Sequence, residues 1–165
     1  MESILSTFIF VDASPLISFL KLGRFDLLQV VNSPLACTDF VRAEVKRPRE
    51  PFEALLKTDE IREIPVVDPS HLREVEDLYD KGFGRGEASS IILAGQHHCR
   101  LIMDDQNARE VAAVRGITLY STSEIVVWNI KTGNVTLPEA DGFIPVWRSV
   151  GEFPISGTTF KNFLP

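Results

Sequence analysis

Two acidic points stand out in this sequence: Asp12, which follows Thr7-Phe8-Ile9-Phe10-Val11, and Asp104-Asp105, which follow Leu101-Ile102-Met103. Both apolar runs have the composition of short strands buried on both faces of a parallel sheet. That would put the acids at strand carboxyl ends, where open parallel sheets gather their ligands. Glu44, within a helix expected over Phe40 to Lys46, and Glu87, opening a helix after Gly84-Arg85-Gly86, are further candidates. A carboxylate in a first helical turn is favoured by the helix dipole. Carboxylates held close raise one another's pKa unless they share a cation. Hard oxygen donors, in a chain with 3 histidines, select Mg²⁺ or Mn²⁺ over zinc. Such an ion lowers the pKa of an attacking water and neutralises charge developing on a phosphodiester. Taken singly, each acid also reads as a helix cap or a dipole partner, so the chemistry rests on their convergence.

Other residues are less specific. Arg42, Lys46, Arg47 and Arg49 form the densest basic segment, which could guide RNA, receive an acidic protein partner, or simply be solvated helix-end charge. Arg109, on the helix after the acid pair, could touch phosphate or pair with an acid and hold the site in shape. His97-His98 are adjacent helical positions that point in different directions, which weakens a metal or general-base reading. Trp128 and Trp147 read as core or dimer contacts, and Cys37 and Cys99, far apart and without CxxC spacing, as buried thiols.

The elements that must position the acids alternate between strand and helix. Ser14-Pro15 would start a first helix, with Ser14 as its N-cap, and Gly23 would end it. A short helix from Arg24 to Val30, a weak strand at Leu35 to Cys37, and a helix capped by Thr38 or Asp39 follow. Helix Pro51 to Lys57 leads to an edge strand within Ile61 to Val67, assigned to the edge by Pro65. Then come helix His71 to Lys81, a flexible loop Gly82 to Gly86, helix Glu87 to Gln96 and strand Leu101 to Met103. Helix Ala108 to Val114, strand Ile117 to Tyr120 and helix Ser123 to Lys131 complete the alternation, which implies a mainly parallel sheet between helical layers. A C-terminal helical extension, about 138–165, should carry a helix near Phe143 to Val150 and a tail helix around Thr158 to Leu164.

At 165 residues and 44% hydrophobic, the chain has the size and apolar content of one domain with one site. It has no apolar stretch near the roughly 20 residues needed to cross a bilayer, and no secretory signal is read at its start, so a cytoplasmic location is expected. The formal net charge of −6 argues against a broad basic nucleic-acid face, an objection that weakens where the acids converge on bound cations.

The motifs, in order, resemble those of PIN domains. Val11-Asp12-Ala13-Ser14-Pro15-Leu16-Ile17 is similar to the first, Val41-Arg42-Ala43-Glu44-Val45 to the second and Gly86-Glu87-Ala88-Ser89-Ser90-Ile91-Ile92-Leu93-Ala94 to the third. Leu101 to Arg109, with Asp-Asp-x-x-Ala-Arg, resembles the fourth in a prokaryotic branch of VapC-like toxin ribonucleases, as does the closing segment Gly151 to Ser156. The resemblance implies a three-layer α/β/α sandwich and a metal-dependent ribonuclease, often a dimeric toxin neutralised by a small antitoxin. Asp12, Glu44, Glu87 and one or both of Asp104 and Asp105 would then bind Mg²⁺ or Mn²⁺, and Ser14 would orient Asp12 or a bound water. Glu87 stands where many relatives have Asp, and Tyr120-Ser121-Thr122-Ser123 lacks a glycine common there. A homodimer is also expected, from apolar surface around Leu16 to Leu28 and the Trp- and Phe-bearing C-terminal part. Two other readings compete: a PIN-fold module that has lost catalysis and acts through protein partners, and a phosphorelay receiver domain. The receiver is disfavoured because its acid pair should come early in the chain.

Overall fold

The computed structural model describes residues 7–165. Its sheet has five parallel strands in the order β3-β2-β1-β4-β5. These are β1 (Ile9–Val11), β2 (Leu35–Thr38), β3 (Arg62–Ile64), β4 (Arg100–Ile102) and β5 (Leu119–Tyr120). The chain leaves β1 in one direction to build β2 and β3, then returns to β1's other side for β4 and β5. The point of reversal therefore lies between the carboxyl ends of β1 and β4, where open sheets form a crevice.

Strand side chains alternate between two helical layers, as a period of 2 requires. Ile9, Val11, Leu35, Cys37 and Ile102 face one core; Phe8, Phe10, Ala36, Leu101 and Met103 face the other. The first core is covered by α1 (Ala13–Leu22), a 3-10 helix (Phe25–Val31), α7 (Thr122–Lys131), α8 (Leu137–Asp141) and α9 (Phe143–Ser149). The second is covered by α4 (Pro69–Asp80), α5 (Arg85–Gln96) and α6 (Gln106–Val114). Two shorter helices, α2 (Asp39–Glu44) and α3 (Arg49–Lys57), join β2 to β3.

The α/β/α sandwich agrees with the sequence expectation, and several boundaries do not. Helix α1 starts at Ala13 with Asp12 as N-cap, so Ser14 lies inside its first turn; Gly23 ends it at φ 70, as a left-handed C-cap suits glycine. Residues 24–30 are largely 3-10 rather than α-helical. Thr38 caps α2, its Oγ1 accepting from Val41 N at 3.1 Å, and the helix stops at Glu44 instead of running to Lys46. Arg85 and Gly86, expected in a loop, form the first residues of α5. Strand β3 is an edge strand, ending just before Pro65. The extension contains α8, which was not anticipated. Pro138 sits in its first turn, and Thr136 caps it by accepting from Glu139 N. The tail helix shrinks to a 3-10 turn at Lys161–Phe163.

Part of the apolar surface that suggested a dimer is covered within the chain, while Phe153 and Phe163 of the C-terminal part are exposed. Leu16, Phe19, Leu20, Leu27 and Leu28 are buried, as are Phe143, Trp147 and Phe160 of the extension packed with them. Cys37 and Cys99 are buried free thiols, as expected. Among the described residues no helix is long and apolar enough to cross a membrane.

Candidate active site

Asp12 caps the exit of β1 with its backbone N–H donating to Ile102 O across the reversal point, 2.9 Å. Its side chain is 3% exposed, and its Oδ1 has no hydrogen-bond partner. Burial drives its pKa up to about 8; a backbone hydrogen bond from Ala13 opposes the shift, while the charges of Glu87, Glu44 and Asp104 reinforce it. Three of the expected acids thus act on the fourth, and the site brings together β1, α2, α5 and β4.

Each neighbour is anchored by its own contact. Glu44, at the end of α2, accepts from Gly86 N at 2.9 Å, the second residue of α5. The approach is so close that a Cβ on Gly86 would lie 2.7 Å from the Glu44 carboxyl carbon. Behind it, Val41 N donates to Thr38 Oγ1, Thr38 Oγ1 lies 2.6 Å from Ser89 Oγ, and Ser89 Oγ donates to Gly86 O at 2.9 Å. Because Ser89 gives its one proton to Gly86, the Thr38 hydroxyl donates to Ser89. This buried chain fixes the start of α5 against α2. Glu87 reaches back to Gly84 N at 3.2 Å, and burial raises its pKa, opposed by that bond and reinforced by Asp105 and Glu44.

The acid pair divides its roles. Asp104 Oδ1 and Oδ2 accept from Thr122 N and Thr122 Oγ1, both at 2.7 Å; burial raises its pKa against these bonds and against Arg109. Asp105 is exposed and caps α6, accepting from Ala108 N at 2.9 Å, while its charge bears on Glu87. Arg109 donates to Met103 O at 2.8 Å and to Glu124 at 3.2 Å, so it pins the end of β4 to α7. Thr122 and Gly86 are the supporting residues that motif reasoning did not single out for these roles.

The remaining expectations separate from the site. Ser14 is exposed in the first turn of α1 and makes no hydrogen bond to Asp12 Oδ1, which has no partner. Arg42 is engaged by Glu63 at 3.0 Å and Glu53 at 3.2 Å, while Lys46 is exposed without an ion pair among the described residues. His97 lies at the far end of α5 from Glu87, roughly 15 Å along the axis at 1.5 Å per residue, which removes the histidines from the carboxylates. Burial lowers its pKa, as do His71 and His98.

Among the described residues, no three His, Cys, Asp or Glu side chains form a complete metal-holding group. The donor set still fits a hard cation: it is all oxygen, it includes an orphaned buried carboxylate atom, and its members repel one another. Mg²⁺ is commonly held by one or two carboxylates with water completing its shell, so a closed protein cage is not required.

Comparison with solved structures finds a PilT N-terminus domain protein, SSO1118, from the hyperthermophilic archaeon Sulfolobus solfataricus P2. The likeness has a TM-score of 0.50 at 16% identity and covers 73% of this chain and 91% of that one, which supports the fold alone. No curated protein matches. A family model described as DUF3368, a PIN domain, matches residues 8–162, and it spans the elements that carry Asp12, Glu44, Glu87, Asp104 and Asp105; the chain belongs to the PIN-domain family.

Proposed function

We propose that this protein is a Mg²⁺- or Mn²⁺-dependent endoribonuclease. PIN domains are typically nucleases, and PIN nucleases generally use divalent metals. The observation that carries the reading is Asp12: a buried carboxyl with an orphan oxygen, at the sheet's reversal point, in the field of Glu87, Glu44 and Asp104. Helix capping does not account for that arrangement, because the N-cap side chain makes no capping bond. Asp12 and Asp104 would be the principal cation ligands, with Glu44, Glu87 and Asp105 contributing from the rim directly or through water. A divalent cation there would acidify a water and offset charge on the scissile phosphate. The chain's own part is to hold the acids: Gly86 N fixes Glu44, Thr122 fixes Asp104, and Arg109 keeps the β4 exit in place.

The finer reading is a cytoplasmic toxin of a two-gene pair, neutralised by a small antitoxin and acting as a homodimer. The motif resemblance supports it, and exposed Phe153, Phe163, Val146 and Val150 on the extension offer apolar contact. An adjoining small open reading frame encoding a DNA-binding protein, and a dimer mass by light scattering at micromolar concentration, are the expected observations. A catalytically silent, partner-binding module is the second reading, favoured by the engagement of both Asp104 oxygens with Thr122 and by the absence of a ready-made metal group among the described residues.

The deciding experiment is cleavage of single-stranded RNA by purified variants with and without Mn²⁺. Loss of an electrostatic role worth several kcal/mol in the transition state lowers the rate by about 10²–10³-fold. Asp12→Asn and Asp104→Asn should each show that loss with an unchanged circular dichroism spectrum, and the double variant should be no worse than either. Wild-type activity in Asp12→Asn would remove the catalytic claim, and an inert wild type that binds a partner would establish the silent module.

A further inference from the structure

A cleft of about 640 Å³ opens beside the carboxylates and shares Glu87 and Asp105 with them. Its size falls within the roughly 300–1,000 Å³ of small-ligand sites. Phe83 and Val111, both half-buried and packed on the second core, give it an apolar floor. At the rim stand Lys81, Asn107 and Glu110, all exposed, their side chains without a hydrogen bond or ion pair among the described residues. By contrast, nearby Arg85 is bound to Glu76 at 2.9 Å and stacked 3.8 Å over Tyr79. The lining thus combines an aromatic face, one unpaired cation and a pair of unpaired acceptors.

We propose that this cleft seats an unpaired nucleotide of the RNA next to the scissile phosphate, and that it selects adenine or cytosine, whose N6 and N4 amino groups stand where uracil carries a carbonyl. The inference rests on the nuclease reading above. An aromatic side chain offers any base a stacking surface, and a base reaches such a floor only when it is out of a duplex. Lys81, at the lip, answers the nucleotide's phosphate. The rim sets the preference: a carboxylate accepts from the cytosine amino group, and an Asn amide pairs with the amino edge of adenine. Uracil presents a carbonyl at the corresponding position, which Glu110 repels. Continuity with Glu87 and Asp105 puts the bound nucleotide's backbone at the carboxylates, so base choice in the cleft becomes choice of cleavage position.

The test is calorimetric titration of the purified full chain, in Mg²⁺ buffer, with AMP, CMP and UMP. The wild type should bind AMP and CMP at least roughly tenfold more tightly than UMP, the scale of one good base contact. Phe83→Leu keeps the packing on the core and removes the aromatic face. It should weaken AMP and CMP by about tenfold. Glu110→Gln, at an exposed position where misfolding is not a concern, should bring CMP and UMP closer together. RNA cleavage should shift in the same sense, away from sites flanked by A or C. Equal binding of all three nucleotides, or unchanged affinities in both variants, overturns the subsite even if the wild type cuts RNA. Selective nucleotide binding by a protein that cuts no RNA upholds the pocket and overturns the nuclease reading instead.

Discussion

Asp12 and Asp141 have the same side chain and opposite surroundings. Asp141, at the end of α8, receives Thr159 Oγ1 on one carboxyl oxygen and Phe160 N on the other, both at 2.8 Å, and so straps the tail to the extension. Asp12 is fully buried at the sheet's reversal point, keeps an orphan oxygen and faces other acids. A buried polar group without a partner costs free energy, so the extension stabilises while the carboxylate end of the sheet does the opposite. The orphan oxygen of Asp12 is the observation on which the proposed metal site rests, whereas the satisfied carboxylate of Asp141 needs no ligand to account for it.

The greatest loss should come on the stabilising side of that division. Trp147 is 1% exposed, donates from Nε1 to Ser18 O at 2.8 Å, and meets Phe19, Phe143 and Phe160 edge-on at 6.0–6.5 Å between ring centres. Trp147→Ala should destabilise by about 3–5 kcal/mol. In chemical denaturation, a loss under about 1 kcal/mol would show that the extension is not part of the main core. Below the new melting point, the site chemistry should persist.

Next in size is the cost of Asp12 itself. Its folded pKa is about 8 against an ordinary 3.8, so between those values the folded state holds a proton that the unfolded state has released. Stability attributable to this group therefore falls as pH rises from about 4 to about 8, and is flat outside that window. In metal-free buffer, Asp12→Asn should match the wild type near pH 4 and melt several degrees higher at pH 8. Saturating Mn²⁺ should reverse the order at pH 8, since it binds and stabilises only the native wild type. Parallel melting curves for the two proteins across this range would contradict the buried-carboxyl account.

How much of this was legible in the sequence depended on range. Asp12 and Asp104 could be read because short apolar runs, Phe8 to Val11 and Leu101 to Met103, end on them, and strand ends are where a doubly wound sheet gathers ligands. The different surroundings of Asp104 and Asp105 could not, since they come from Thr122, 18 residues on, which donates to Asp104, and from Ala108 N, which donates to Asp105. Thr122 was hidden in Tyr120-Ser121-Thr122-Ser123, where three neighbouring hydroxyls are all plausible caps; Ser121 takes that role, accepting from Glu124 N at 3.1 Å. Helix α8 went unread because its five residues are too few to show a period, although Pro138 suits the first turn it occupies. Gly86 looked like loop because glycine is a poor helix former, yet the Glu44 carboxylate occupies the space a side chain would need.

That last contact gives a smaller effect of mixed sign. In Gly86→Ala, the added Cβ would stand 2.6 Å from Glu44 Oε1, at the flexible end of an exposed side chain that can swing away. Losing the Gly86 N bond costs about 1 kcal/mol, and alanine's better helix propensity returns about the same. Stability should therefore stay within about 1 kcal/mol of wild type, whereas RNA cleavage should fall by about tenfold or more, the scale of a displaced metal-site partner. Full activity in a folded Gly86→Ala protein would take Glu44 out of the site.

The least perturbing change lies at the seam between the stabilising region and α1. Glu152 Oε1 accepts from Lys21 Nζ at 2.8 Å, with the two side chains 20% and 27% exposed, and the same ammonium donates to Val150 O at 3.2 Å. This ties the last turn of α1 to the segment after α9, at the end of the helix remote from Asp12 at its start. Glu152→Gln keeps an acceptor for Lys21 and removes only the charge. A partly exposed pair of this kind contributes about 0.2–1 kcal/mol. The difference in denaturation midpoint between variant and wild type should shrink in about 1 M salt, where the screening length is about 3 Å. RNA cleavage should be unaffected in either buffer. A Glu152→Gln protein that folds normally but cuts RNA more slowly would break the separation between the region that holds the fold and the proposed metal site, because the change would then have reached the carboxylates along α1 or through Pro154 O, which accepts from Ser123 Oγ beside Thr122.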